Sequence, residues 1–129
     1  MYINKNSEIY INENFVINLA GKSTDKKHID NYDEYYRVNT EFTKKLFDVF
    51  LVSKATVFIT LSSVKAVADT VEGILTEDSI ANPITHYGKS KLLAEQYILS
   101  KEIPSSKRVY ILRPCLIHGP GNKGNLNLL

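Results

Sequence analysis

Three residues of this chain are of types that can move a proton while a hydride moves elsewhere. Ser63 follows a strand-like run, and Tyr87-Gly88-Lys89-Ser90-Lys91 opens a helix-like run. Tyr87 and Lys91 are four positions apart, so on a helix they share one face. A lysine held beside a phenol favours the phenolate, which lets the tyrosine trade a proton near neutral pH. A serine hydroxyl nearby can hold the substrate oxygen. The set suits the interconversion of a hydroxyl and a carbonyl, which requires a hydride carrier alongside.

The elements that must position these residues alternate. Phe15-Val16-Ile17-Asn18-Leu19-Ala20 is a short apolar run that stops at Gly21, and it reads as a buried strand. Gly21 to Asp33 is polar and loop-like. Tyr35, Val38, Phe42, Leu46, Val49 and Phe50 recur at spacings of three and four, which predicts a helix. Thr56 to Leu61 is a second strand, rich in β-branched residues. After a loop from Asp69 to Pro83, a second helix is predicted from about Thr85 to Lys101. Arg108 to Leu112 is a third strand, stopped by Pro114. Strands alternating with helices argue for parallel strands joined by right-handed crossovers. The fold class is therefore α/β, one βαβαβ unit of a Rossmann-type, doubly wound parallel sheet.

The chain reads as a polar lead-in over 1–14, the βαβαβ core over 15–118, and an irregular tail over 119–129. The first strand is expected to be a bare apolar edge unless the lead-in covers it, and Ile9-Tyr10-Ile11 is the segment there with strand character. At 129 residues the chain is one domain or a piece of one. Its 43% hydrophobic and 23% charged residues are those of a globular protein. A net charge of +2 gives no ground for a nucleic-acid partner. The lone Cys115 cannot form an internal disulfide, which fits a reducing cytoplasm. No apolar stretch reaches membrane-spanning length, and the lead-in lacks the apolar core of a signal peptide. His28, His86 and His118 have no metal-ligand spacing, so no metal site is expected.

In a doubly wound sheet, ligands bind at the carboxyl ends of the strands. The positions to inspect are Ala20-Gly21-Lys22, Ser62-Ser63 and Arg113-Pro114-Cys115, with Tyr87 and Lys91 at the start of the intervening helix. Five motifs stand in register: Asn18-Leu19-Ala20-Gly21, Val38-Asn39-Thr40, Leu61-Ser62-Ser63, Tyr87-Gly88-Lys89-Ser90-Lys91, and Leu112-Arg113-Pro114 through His118-Gly119-Pro120-Gly121. Together, from about Phe15 to the end, they resemble the extended short-chain dehydrogenases, specifically the NAD-dependent epimerase/dehydratase family of sugar-nucleotide enzymes.

The resemblance implies roles. Tyr87 would exchange the proton of a sugar hydroxyl, and Ser63 would hold the same oxygen. Lys91 would bond the nicotinamide ribose and favour the Tyr87 phenolate. Leu19, Ala20 and Gly21 would lie along the cofactor, Asn39 would face it from the first helix, and Pro114 and Cys115 would flank its nicotinamide end. The implied cofactor is NAD or NADP, the implied substrate a nucleotide sugar, and the intact family enzyme is expected to be a homodimer. The family's 4,6-dehydratases place an Asp-Glu pair directly after the serine or threonine. Here Val64 and Lys65 stand there, and neither can do that acid–base work, which leaves a 4-epimerase or a 4-keto reductase.

The family also begins with a strand and a Gly-rich turn that cradles pyrophosphate at a helix N-terminus. Nothing before Phe15 matches it, so the chain is expected to be a fragment lacking that loop and the C-terminal substrate domain. The literal G-x-G-x-x-G at Gly119 to Gly124 follows the last strand and has no acidic residue at the expected distance, so it is not the dinucleotide fingerprint. The alternative reading is a truncated, non-catalytic remnant or a partner-binding α/β module without NAD affinity. Tyr32, Tyr35 and Tyr36 read most simply as packing residues, and Cys115 as a small packing residue.

Overall fold

The computed structural model describes residues 2–3, 9–23, 32–71 and 73–115. The sequence features at His28, His118 and the tail 119–129 lie outside the described residues. Two short strands come first, β1 (Tyr2–Ile3) and β2 (Ile9–Tyr10), paired antiparallel. The lead-in is therefore partly strand, as Ile9-Tyr10 suggested. Among the described residues it pairs with itself and adds no strand to the main sheet.

The main sheet holds β3 (Phe15–Asn18), β4 (Val57–Leu61) and β5 (Arg108–Leu112) in that order, all parallel. Register sets Val16 beside Phe58 and Phe58 beside Val109. Between β3 and β4 run α1 (Asp33–Tyr35), a π-helical segment (Tyr36–Glu41) and α2 (Phe42–Val52), continuous through right-handed junctions. Between β4 and β5 lie a 3-10 turn (Val64–Ala66) and α3 (His86–Leu99).

Right-handed crossovers between neighbouring parallel strands taken in sequence put both helices on one face. That face holds the core. The Phe47, Phe50 and Phe58 rings meet at centroid distances of 5.7, 5.0 and 5.2 Å, packed with Leu46, Ala55 and Ile98. Burying each phenylalanine is worth about 2 kcal/mol. Buried Lys107 closes the C-terminal end of α2, donating to the carbonyls of Phe50 at 3.0 Å and Ser53 at 2.8 Å.

Two expectations change here. β3 is buried on one face only: Val16 and Asn18 are buried, while Phe15 and Ile17 are 62% and 58% exposed. Among the described residues nothing covers the second face, which also presents Tyr110 and Leu112. The first helix also changes phase. A π turn takes up an extra residue relative to α-helical winding, so the inward face there is Asn39, Thr40 and Thr43. Tyr35 and Val38, read as apolar anchors, are only half-buried.

Candidate active site

The ends of the three main strands converge on a cavity of about 370 Å³. Leu19, Gly21, Lys22 and Ser23 line it from beyond β3, and Leu61, Ser62 and Ser63 from β4. Pro114 and Cys115 line it from beyond β5, and Tyr87 and Lys91 from α3. Ser63, Tyr87 and Lys91, separated along the chain, thus meet around one space.

The first turn of α3 is fixed before Tyr87 is reached. Thr85 caps the helix, its hydroxyl accepting from Gly88 N at 3.2 Å. The Asp69 carboxylate accepts from Ile84 N at 2.7 Å, Thr85 N at 3.1 Å and the Thr85 hydroxyl at 2.8 Å. The helix then passes so close to the 3-10 turn that a Cβ at Gly88 would lie 2.2 Å from the Lys65 carbonyl oxygen. Glycine is required there by contact, and it brings the turn bearing Ser63 against the helix bearing Tyr87. The Tyr35 ring meets the Tyr87 ring edge-on, with centroids 6.3 Å apart.

The inward face of α3 is unusually polar, with Ser90, Lys91 and Glu95 buried beside Gly88, Ala94 and Ile98. Lys91 is 8% exposed, and its ammonium donates to the Leu61 carbonyl at 2.9 Å. An ammonium has three donors, so two remain for the cavity. Burial holds Lys91 below the usual lysine range, and the charge of Glu95 offsets part of that. Gly21 faces the same ammonium: a Cβ there would lie 3.0 Å from Lys91 Nζ.

Ser63 opens the 3-10 turn, and its hydroxyl accepts from Lys65 N at 3.2 Å, which leaves its own proton to donate. Ser62 is also buried, and its hydroxyl is the one buried side-chain polar atom among the described residues without a hydrogen-bond partner. Cys115 is an exposed free thiol. Lys65 is exposed and does not line the cavity.

Asn39 and Ala20, expected along the cofactor, are not among the residues that line the cavity. Asn39 is 1% exposed, and its amide is used internally. It accepts from Lys22 N at 2.8 Å and donates to Lys22 O at 3.0 Å and the Ser90 hydroxyl at 2.9 Å. Asn39 therefore pins the loop after β3 to α3, because the π segment turns it inward. Ala20 lines a separate groove with Arg37, Val38 and Phe42, since alternation after β3 directs it away from Gly21. Tyr32 and Tyr36 pack on His86, Tyr32 stacked at 4.1 Å and the Tyr36 hydroxyl 2.9 Å from His86 Nδ1. The cavity includes Lys22, at an inspected strand end, and gains Ser23, which the polarity of its segment made look like solvated loop.

Residues 6–128 match the NAD dependent epimerase/dehydratase family. The chain belongs to that family. Over 119 residues it is 34% identical to a UDP-glucose 4-epimerase of Vibrio cholerae, covering 88% of this chain and 36% of that protein. The fold matches UDP-glucuronic acid 4-epimerase from Bacillus cereus in complex with NAD, with a TM-score of 0.64 and 25% identity over 79% of this chain and 32% of that one. It also matches RMD from Pseudomonas aeruginosa complexed with NADPH, with a TM-score of 0.73 and 27% identity over 85% of this chain and 39% of that one. The chain spans about a third of the length of the curated relatives it matches. In this epimerase/dehydratase chain, no helix among the described residues is long and apolar enough to cross a membrane, and no cluster of His, Cys, Asp and Glu among them could hold a metal ion.

Proposed function

We propose that this chain carries the Ser63, Tyr87 and Lys91 part of an NAD-dependent sugar-nucleotide 4-epimerase or 4-keto reductase. The observation that carries the reading is the single cavity shared by those three residues with Gly21, Pro114 and Cys115. The Ser63, Tyr87 and Lys91 polar groups in its wall and the close approach of Gly21 to the Lys91 ammonium suit the nicotinamide ribose end of NAD. Among the described residues there is no Gly-rich strand–turn–helix to cradle pyrophosphate.

The roles follow from the donors and acceptors present. The Ser63 hydroxyl donates to the sugar oxygen and holds it in reach of Tyr87. Tyr87 takes the hydroxyl proton as the carbonyl forms and returns it in the reverse direction. Lys91 gives one donor to Leu61 and offers its others to ribose hydroxyls. Bound NAD supplies the hydride exchange. With Val64 and Lys65 following Ser63, elimination of water from the sugar has no local acid–base pair.

Isothermal titration with NAD⁺, paired with Lys91→Met, tests the reading. Micromolar binding by the chain, lost in the variant, is expected. Silence in both would favour the second reading, a partner-binding module, which is supported by the uncovered apolar face at Phe15, Ile17, Leu19, Tyr110 and Leu112.

A further inference from the structure

Glu95 is a carboxylate at 2% exposure on the helix face that carries Tyr87 and Lys91, one turn beyond the lysine. It does not bond to Lys91. Arg113, the first residue after β5, holds it with a two-pronged grip: Nε lies 3.1 Å from both carboxylate oxygens, and Nη2 lies 2.5 Å from Oε2. The next residues, Pro114 and Cys115, are cavity wall, so the pair ties that wall to α3. A buried ion pair adds little stability over apolar residues of similar volume, because desolvating both charges offsets their attraction. Its placement one turn from Lys91 therefore calls for another role.

We propose that Glu95, oriented by Arg113, is the buried counter-charge that keeps Lys91 an ammonium, and so is a positioning residue for the site. Lys91 is buried with one carbonyl partner and no ion pair among the described residues, a setting that favours the neutral amine. The cavity that Lys91 lines also holds Tyr87 from its own helix, Lys22 beyond β3 (itself paired with Glu34), the Ser62 and Ser63 hydroxyls beyond β4 and Cys115 beyond β5, while Glu95 and Arg113 line the neighbouring groove with Leu61 and Pro114. Glu95 is the carboxylate one turn from Lys91 on the same buried face of α3. The directions agree: burial lowers the Lys91 proton affinity and Glu95 raises it. The bond to Glu95 in turn holds Arg113 above its ordinary value, so the guanidinium stays charged. Arg113 acts here as an orienting group that also limits how strongly Glu95 attracts Lys91.

The catalytic consequence rests on the Ser63, Tyr87 and Lys91 reading, but the charge coupling can be measured without any ligand. NMR of the chain carrying ¹³C,¹⁵N-lysine, with Lys91→Met to assign the signal, reads the Lys91 midpoint directly. Glu95→Gln should lower that midpoint by about one unit or more, and Glu95→Asp should restore most of it. An unchanged midpoint in a folded Glu95→Gln protein would overturn the proposal. If Glu95→Gln fails to fold, the wild-type chain labelled with ¹³C-glutamate decides: the Glu95 carboxyl signal should step at the Lys91 midpoint, and a flat trace there overturns the coupling. A failed NAD⁺ titration beside a moved Lys91 midpoint would reject the proposed function and leave this inference standing.

Discussion

Gly88→Ala probes the contact that brings Ser63 and Tyr87 together. A Cβ at Gly88 would stand 2.2 Å from the Lys65 carbonyl oxygen and 2.9 Å from Pro83 Cβ, where ordinary contact begins at 3.4 Å. The oxygen belongs to main chain that cannot swing aside. Its turn is held by Lys65 N to the Ser63 hydroxyl at 3.2 Å, Ala66 N to Ser63 O at 3.0 Å, and Val64 N to Pro114 O at 3.3 Å. Helix and turn must therefore part by about 1 Å to reach ordinary separation. With free space, alanine would stabilise the helix by about 1 kcal/mol over glycine. Overpacking costs about 1–3 kcal/mol, so the net expectation is a loss of up to about 2 kcal/mol and a melting temperature lower by several degrees. The displacement separates Ser63 from Tyr87 and Lys91, and a misplacement near 1 Å costs on the order of a hundredfold in rate. Thermal unfolding by circular dichroism, read beside NAD⁺ titration and turnover of a nucleotide sugar by an intact enzyme carrying this site, checks both effects. Gly73→Ala is the control: at φ +96° with nothing within 4 Å, it should show backbone strain of about 1 kcal/mol with unchanged ligand affinity. A Gly88→Ala protein as stable as wild type, with full affinity, refutes the reasoning.

In an intact enzyme carrying this site, Tyr87→Phe should lower turnover by roughly a hundredfold or more while leaving NAD⁺ affinity in place, and wild-type turnover in that variant would remove Tyr87 from the proton step. Ser62→Ala should stabilise the unliganded chain by about 1 kcal/mol in urea unfolding, since it deletes a buried hydroxyl without a partner; destabilisation would contradict that assignment. For Asp69, burial raises the carboxyl's proton affinity, but donors at Ile84 and Thr85 together with Lys65 outweigh it, so its pKa lies below the ordinary 3.8. Its contribution is then full above that value and lost as pH falls through the lower folded-state pKa. Asp69→Asn should cost about 1 kcal/mol at neutral pH and nothing once wild-type Asp69 is protonated in strong acid; a gap that persists there would show that the charge is irrelevant.

The elements set by local chemistry were legible along the chain. β-Branched residues marked β4 within one residue of its start, and Arg108 to Leu112 matched β5 throughout. The predicted second helix, about Thr85 to Lys101, is α3 (His86–Leu99) with Thr85 as its cap. The first helix was legible as a helix but not in phase. A 3.6-residue period carried through Tyr36–Glu41 points the wrong side chains inward, and no residue type there announces the wider winding. Asn39, which the family resemblance set facing the cofactor, is bonded to Lys22 and Ser90. β3 was read as a buried strand, and only the placement of both helices on one side shows that Phe15 and Ile17 are exposed.

By itself the sequence determined which chemical groups exist and in what order: a serine after one strand, a tyrosine and lysine one helical turn apart, and glycine, proline and cysteine at the other strand ends. These follow from spacings of a few residues, over which helix and strand periods hold without knowledge of the fold. The tertiary structure alone decided that Ser63, Tyr87, Lys91, Gly21, Pro114 and Cys115 share one cavity, because strand register and helix docking set distances between residues far apart in the chain. It alone showed why residue 88 is glycine, since the carbonyl it must clear belongs to Lys65. It alone joined Glu95 to Arg113, an ion pair that depends on how closely α3 lies along the end of β5.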